Sequence, residues 1–234
     1  MSTAAILLCA GRGERLGREV PKALVALAGR PLFSHALEAL QACAAIEAIV
    51  VVGAVRPLRE SLAAAGLGAA KVCAWTEGGR ERQNSVASGI VALPADADLV
   101  AIHDAARALI QPATIARVVA DARTHGAAIA ALPLDDTLKR GSLGVIEATV
   151  PRAELWRAQT PQAFRRVWLE EAHRAAAGRG ARAAAATDDA ALVEALGHRV
   201  HLTPGDPMNF KITTPEDLEL AESVLVGRAH LRGA

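Results

Sequence analysis

Hydrophobic positions along this chain fall into two alternating textures. Short, nearly unbroken apolar runs occupy residues 4–9, 46–52, 97–103 and 127–132, the pattern of strands buried on both faces. Between them apolar residues recur at helical spacing: Leu32, Ala36, Leu40 and Cys43 share one face of a helix expected over 31–44, and further helices are expected over 57–65, 112–125 and 165–177. A short strand is expected at 71–74 and a last one at 198–202. A helix opens at Thr187-Asp188 and runs to about 196. Another opens at Thr214-Pro215, where a capping hydroxyl, a proline and the acidic Glu216 and Asp217 follow in order. This alternation predicts an α/β protein, a three-layer α/β/α Rossmann-like fold with a mostly parallel sheet and right-handed crossovers. Residues 134–159 break the rhythm. They mix polar and β-branched residues with Gly141 and Gly144, which reads as two or three short strands around a hairpin, a protruding β-arm. Its unpaired edges need a cover, so a homodimer formed through the arm is expected. Residues 178–186 are low in complexity and read as a turn.

Length and composition narrow the class. At 234 residues the chain suits one domain spanning 1–234. Hydrophobic residues make up 52%, but no run approaches a membrane span and the N-terminus enters a strand directly, so a soluble cytoplasmic protein without a membrane partner is expected. Cys9, Cys43 and Cys73 are odd in number and lack C-x-x-C spacing, which indicates neither a disulfide framework nor a zinc site. A net charge of +1 with 3% aromatic residues argues against a nucleic-acid partner.

The candidate chemistry gathers after the expected strands. The first ends in a basic turn carrying Arg12, Arg15, Arg18 and Lys22 among Gly11, Gly13 and Gly17, where glycines let backbone N–H groups approach an anion as a polyphosphate cradle requires. The spacing G-x-G-x-x-x-G is not the dinucleotide fingerprint, and no Walker lysine follows. A solvated glycine-rich turn remains the bland alternative. After the third strand, Gly78-Gly79 make a tight turn and Ser85 opens a helix. This is either an ordinary strand-to-helix loop or, beside the first loop, a reader of a base edge. The fourth strand delivers His103 and Asp104. Asp104 suits Mg²⁺, an oxygen-seeking ion that shares its ligands with phosphate. His103 reads better as a buried, hydrogen-bonded histidine than as a catalytic one, and Asp188 and Asp189 as cap and first-turn residues rather than metal ligands.

These residues resemble a family. Ala10-Gly11-Arg12-Gly13-Glu14-Arg15-Leu16-Gly17 with Pro21-Lys22 is similar to the signature loop of the sugar-nucleotide and polyol-phosphate nucleotidylyltransferases. Gly78, Gly79, Glu81, Arg82, Ser85 and Val86 resemble the cytosine-reading loop of the polyol-phosphate cytidylyltransferase family, and His103-Asp104-Ala105-Ala106-Arg107 resembles its strand-end motif, with Ala108 where proline is usual. Asp136 to Lys139, Thr149 to Arg152 and Gln159 to Phe164 resemble its arm, and Asn209 to Asp217 its last motif. Departures are Cys9 where alanine is common and Ala23 where glutamine often follows the lysine.

The resemblance spans nearly the whole chain and is greatest to members acting on 2-C-methyl-D-erythritol 4-phosphate. It implies transfer of CMP from CTP to that acceptor with Mg²⁺ and release of pyrophosphate, in isoprenoid precursor synthesis. Ala10, Gly11, Gly13, Arg15, Lys22, Gly79, Arg80, Ser85, Asp104 and Ala105 would bind CTP, with Asp104 on the metal. Asp104, Arg107, Thr137, Arg152, Thr160 and Lys211 would bind the acceptor, and Arg15, Lys22, Arg152 and Lys211 would carry catalysis. Ribitol 5-phosphate as acceptor and a non-catalytic nucleotide-binding module stay open as alternatives. Because bifunctional relatives append a second enzyme, and this chain ends soon after its last expected helix, a monofunctional protein is expected.

Overall fold

The computed structural model describes residues 1–11, 13, 16, 20–178 and 187–233. The expected strands take their places as β1 (Ser2–Leu8), β4 (Ala48–Val52), β5 (Val72–Thr76), β6 (Ala97–Asp104), β7 (Ala127–Pro133) and β11 (His201–Pro204). Two short strands, β2 (Ala26–Leu27) and β3 (Arg30–Pro31), pair with each other ahead of the helix α1 (Leu32–Ala42). The other helices are α2 (Val55–Ala64), α3 (Arg82–Val91), α4 (Pro112–His125), α5 (Arg166–Gly178), α6 (Asp189–Glu194) and α7 (Pro215–Gly233).

Among the described residues seven strands form one sheet, the six above joined by β10 (Trp156–Arg165), in the order β11-β7-β10-β6-β1-β4-β5. Strand alternation feeds two faces. Ala5 and Leu7 of β1, Ile49 and Val51 of β4 and Leu99 and Ala101 of β6 pack under α1, α2 and α4. Their neighbours Ala4, Ile6, Val50, Val52, Val100 and Ile102 pack under α3, α5 and α6. Strands buried on both sides need no polar alternation, which is why they read as continuous apolar runs. The chain runs outward from β1 to β4 and β5, then returns to place β6 on the other flank of β1. Leu8 and Asp104 therefore stand opposite each other at the carboxyl ends of β1 and β6. This reversal opens the crevice in which open α/β sheets hold ligands.

Two features differ from the sequence reading. Between the expected arm and α5 lies the ten-residue β10, inserted antiparallel between β7 and β6. Its hydrophobic signal is short because Gln159, Thr160, Pro161 and Gln162 interrupt it. Pro161 lacks a ladder donor, and the register against β7 shifts between Ala158 and Gln162. The arm segment accordingly divides: β8 (Leu138–Ser142) and β9 (Val145–Val150) form a separate two-stranded hairpin, and from Trp156 onward the chain belongs to the main sheet. Most of the turn expected at 178–186 lies outside the described residues, and α7 runs on to Gly233.

Phe164 shows how β10 locks the sheet, being fully buried beneath α5. Phe164→Ala should lower unfolding free energy by about 3–5 kcal/mol, the usual cost of emptying an aromatic core site. Urea unfolding monitored by circular dichroism measures this.

Candidate active site

Strand ends and the loops leaving them enclose a cavity of about 560 Å³, within the range of small-molecule sites. Its floor is the carboxyl end of β1, with Cys9, Ala10, Gly11 and Gly13. Gly13 sits at φ +73°, and a Cβ there would lie 2.8 Å from Lys22 Cβ, so only glycine lets the loop fold back on the half-buried lysine. The second wall is the loop from β5 to α3. A Cβ on Gly78 would come 2.4 Å from Ala10 Cβ, so this glycine allows the two loops to touch.

Ser85 is structural first. It does not open α3, as the sequence suggested; Glu81 precedes the helix, its N–H donating to Asn84 Oδ1. The Ser85 hydroxyl accepts from Gly79 N–H at 3.0 Å and donates to the Glu81 carbonyl at 3.2 Å. This pins the Gly78–Gly79 turn to the first turn of the helix, with Gly79, Arg80 and Ser85 all facing the cavity.

Asp104 closes the third side. It is only 8% exposed, and two cations meet it: Lys211 Nζ donates to Oδ2 at 2.7 Å and Arg82 Nε to Oδ1 at 3.2 Å. Burial by itself would raise the Asp104 pKa, but Arg82 and Lys211 outweigh it and hold the group well below the usual carboxylate range. Its backbone is fixed as firmly. Asp104 N–H donates to Thr160 Oγ1 at 3.0 Å, and Ala105 N–H to the Leu8 carbonyl at 3.0 Å. Thr160 Oγ1 in turn lies 3.1 Å from His103 Nδ1, and His103 Nε2 3.2 Å from the Arg107 carbonyl. A single tautomer satisfies this chain, with neutral His103 accepting at Nδ1 and donating from Nε2. Burial pushes the His103 pKa down to about 4, so it is the hydrogen-bonded core histidine expected.

Lys211 reaches Asp104 because its segment is stitched to β6 and β10. Ile212 N–H donates to the Ala106 carbonyl at 2.8 Å. Asn209 Nδ2 donates to the Thr160 carbonyl at 2.8 Å and to Gln159 Oε1 at 3.2 Å, while Gln159 Nε2 donates to the Asp206 carbonyl. The following helix has the expected cap: Asp217 N–H donates to Thr214 Oγ1, and Asp217 Oδ2 accepts from Thr213 and Thr214.

Of the residues singled out from sequence, Ala10, Gly11, Gly13, Lys22, Gly79, Arg80, Ser85, Asp104, Ala105 and Lys211 share this cavity. Arg15 lies outside the described residues, as do Arg12, Gly17 and Arg18. Thr160 stands behind Asp104 rather than on the cavity wall, and Arg107 spends its guanidinium on the Asn209 and Ala158 carbonyls. Thr137 and Arg152 are exposed beside the hairpin. Among the described residues no group of three or more His, Cys, Asp or Glu side chains is placed to hold a metal. Asp104 offers oxygen lone pairs next to the cavity, a donor set that fits an ion carried chiefly by phosphate rather than one caged by protein.

Sequence reasoning missed the residues behind Arg82. Arg82 Nη1 donates to Asp189 Oδ2 at 2.6 Å, and Asp189 Oδ1 lies 2.9 Å from His173 Nε2. Asp188 is the expected helix cap, accepting from Ala191 N–H, but Asp189 is buried. Spacing carried the signal: Asp189 precedes Leu192 and Val193 by three and four positions, and His173 sits among Leu169, Ala172 and Ala176. Each is a titratable residue on an apolar helix face.

The chain is similar over nearly its whole length to known proteins. A family model described as 2-C-methyl-D-erythritol 4-phosphate cytidylyltransferase matches residues 3–227. The proteins of that name from Pelotomaculum thermopropionicum and Desulforamulus reducens are 44% and 42% identical over 230 and 229 residues. Each match covers 96% of this chain, with 94% and 96% of those proteins. The crystal structure of the Thermus thermophilus protein of that name superposes with a TM-score of 0.78 at 36% identity, over 96% of this chain and 98% of that one.

Because buried His103 has a pKa below its unfolded value of about 6.5, the unfolded chain takes up a proton first as pH falls. Its contribution is present above about pH 6.5 and lost towards pH 4, on the order of 3 kcal/mol in all. Urea unfolding of wild type and His103→Gln at pH 7 and pH 5 should show a smaller pH dependence in the variant.

Proposed function

From the premise that this chain belongs to the 2-C-methyl-D-erythritol 4-phosphate cytidylyltransferase family, we propose how its site carries out the family reaction. The chain is a nucleotidyltransferase that transfers CMP from CTP to 2-C-methyl-D-erythritol 4-phosphate, giving 4-diphosphocytidyl-2-C-methyl-D-erythritol and pyrophosphate in the non-mevalonate route to isoprenoids. The observation that supports the residue roles best is the convergence of Lys22, the Gly78–Ser85 turn, Asp104 and Lys211 on one cavity at the switch point of the sheet.

An oxygen of the acceptor's phosphate attacks the α-phosphorus of CTP in line. The new P–O bond forms as the bond from the α-phosphorus to the bridging oxygen breaks, and that oxygen leaves with pyrophosphate. No covalent enzyme intermediate is required, because a phosphate monoester is already ionised near neutral pH. The barrier is the approach of two anions, and positioning with charge stabilisation lowers it. Lys22 and Arg15 neutralise the triphosphate, while Gly79, Arg80 and Ser85 hold the cytosine edge against the turn. Lys211, already beside Asp104, grips the acceptor's phosphate. Mg²⁺ bound through Asp104 and the triphosphate would spread the developing negative charge.

The arm completes the site in a homodimer. An isolated two-stranded hairpin is marginal in water, and β8–β9 exposes Leu143, Val145 and Ile146. Covering them with a second copy removes that exposure and brings Thr137 and Arg152 of one protomer to the cavity of the other. Arg152 then adds a bidentate hold on the acceptor. The site lies within one nucleotidylyltransferase domain. Cys9, Cys43 and Cys73 are free thiols, which suits the reducing cytoplasm, where we place the reaction; among the described residues no helix is long and apolar enough to cross a membrane.

Pyrophosphate release should require CTP, a divalent cation and 2-C-methyl-D-erythritol 4-phosphate. Ribitol 5-phosphate as the working acceptor would redirect the reading to another polyol, and silence with every pair would leave a nucleotide-binding module. Lys22→Ala and Arg15→Ala should each lower kcat by about 10²–10³, the scale of one lost transition-state donor; steady-state kinetics with wild-type turnover would remove these residues from catalysis. Arg152→Ala should raise KM for the acceptor and leave that for CTP nearly unchanged.

A further inference from the structure

Asp189 is 1% exposed on a six-residue helix, and a carboxylate desolvated there is destabilising unless a partner is fixed in place. Its partner is Arg82. The guanidinium spans two carboxylates, with Nη1 2.6 Å from Asp189 Oδ2 and Nε 3.2 Å from Asp104 Oδ1. Asp189 is braced on its other oxygen by His173 of α5, itself buried.

The spacing of the two carboxylates is set by the sheet. Gln162 of β10 pairs with Ile102 of β6, two residues before Asp104. The same glutamine donates from Nε2 to Asp188 Oδ2 at 2.7 Å and accepts from Ala190 N–H at 3.3 Å, tying the start of α6 to β10. Asp104 and Asp189 thus hang from adjacent strands, and Arg82 bridges a gap that the backbone holds constant. Arg82 Nη2 is buried without an acceptor among the described residues, so the side chain is placed for the two carboxylates even though one of its own donors goes unmatched.

We infer that Asp189, with His173 behind it, is a positioning residue for the transfer reaction: it holds Arg82 on Oδ1 of Asp104 and leaves Oδ2 to Lys211. Without the charge of Asp189, the Arg82 cation falls wholly on Asp104 and competes with Lys211 for the carboxylate. The effect reaches the acceptor through Lys211 and the nucleotide side of the cavity through Asp104.

The inference rests on the cytidylyl-transfer reading, which wild-type pyrophosphate release tests separately. Asp189→Asn should lower kcat about tenfold, as loss of a supporting partner typically does. In an Arg82→Gln background, which removes the shared cation, the same substitution should change kcat by less than about twofold, because Asp189 acts through Arg82. His173→Gln, which keeps a donor towards Asp189, should retain several-fold more kcat than His173→Leu. An equal loss from Asp189→Asn in both backgrounds, or wild-type kcat in Asp189→Asn, overturns the inference. If Asp189→Asn does not fold, equal kcat in the two His173 variants overturns it. A wild-type chain that releases no pyrophosphate overturns the underlying reading instead.

Discussion

Lys211 Nζ at 2.7 Å and Arg82 Nε at 3.2 Å hold the buried carboxylate of Asp104 between them. A charge at the end of a central strand is unfavourable on its own, and removing one partner of such a cluster costs more than the cluster contributes. The two cations come from distant parts of the chain, α3 and the segment before α7. The carboxylate therefore acts as a clasp that closes the open end of the sheet. It also sets the charge pattern of the site, because the ion pair holds Lys211 on the cavity wall.

What lies behind Asp104 keeps it there. Strand β10 supplies Thr160, whose hydroxyl receives the Asp104 N–H, and Gln159, which with Asn209 pins the Lys211 segment. The irregular register at Gln159 to Pro161, a defect as sheet geometry, is what frees these polar groups to turn inward. His103 stays neutral in this network, so the charge beside it at the cavity is that of Asp104 and its two cations.

Much of this was legible from residue order. The apolar runs identified most of the sheet's strands and most flanking helices because strands covered on both faces leave a continuous hydrophobic signature. Glycine-rich turns at the ends of two such runs pointed to the cavity, since Gly13 and Gly78 are positions where any side chain would collide. Strand β10 escaped because its central residues are polar and include a proline, so its burial comes from register and from the neighbours on either side. Glu81, rather than Ser85, precedes α3, because Asn84 answers its backbone N–H. Asp189 and His173 escaped for another reason. Helix spacing hinted at their burial, but the cation that partners Asp189, Arg82, lies 107 residues from it in sequence, and only the tertiary fold brings it there.

The clasp at Asp104 is tested most directly by comparing kcat for wild type and Asp104→Asn at saturating CTP and 2-C-methyl-D-erythritol 4-phosphate, with folding checked by circular dichroism. Asparagine keeps the shape but releases both cations from their fixed charge, so kcat should fall by at least about 10² in a folded protein. Wild-type turnover in a folded Asp104→Asn would contradict the view that this carboxylate organises the site.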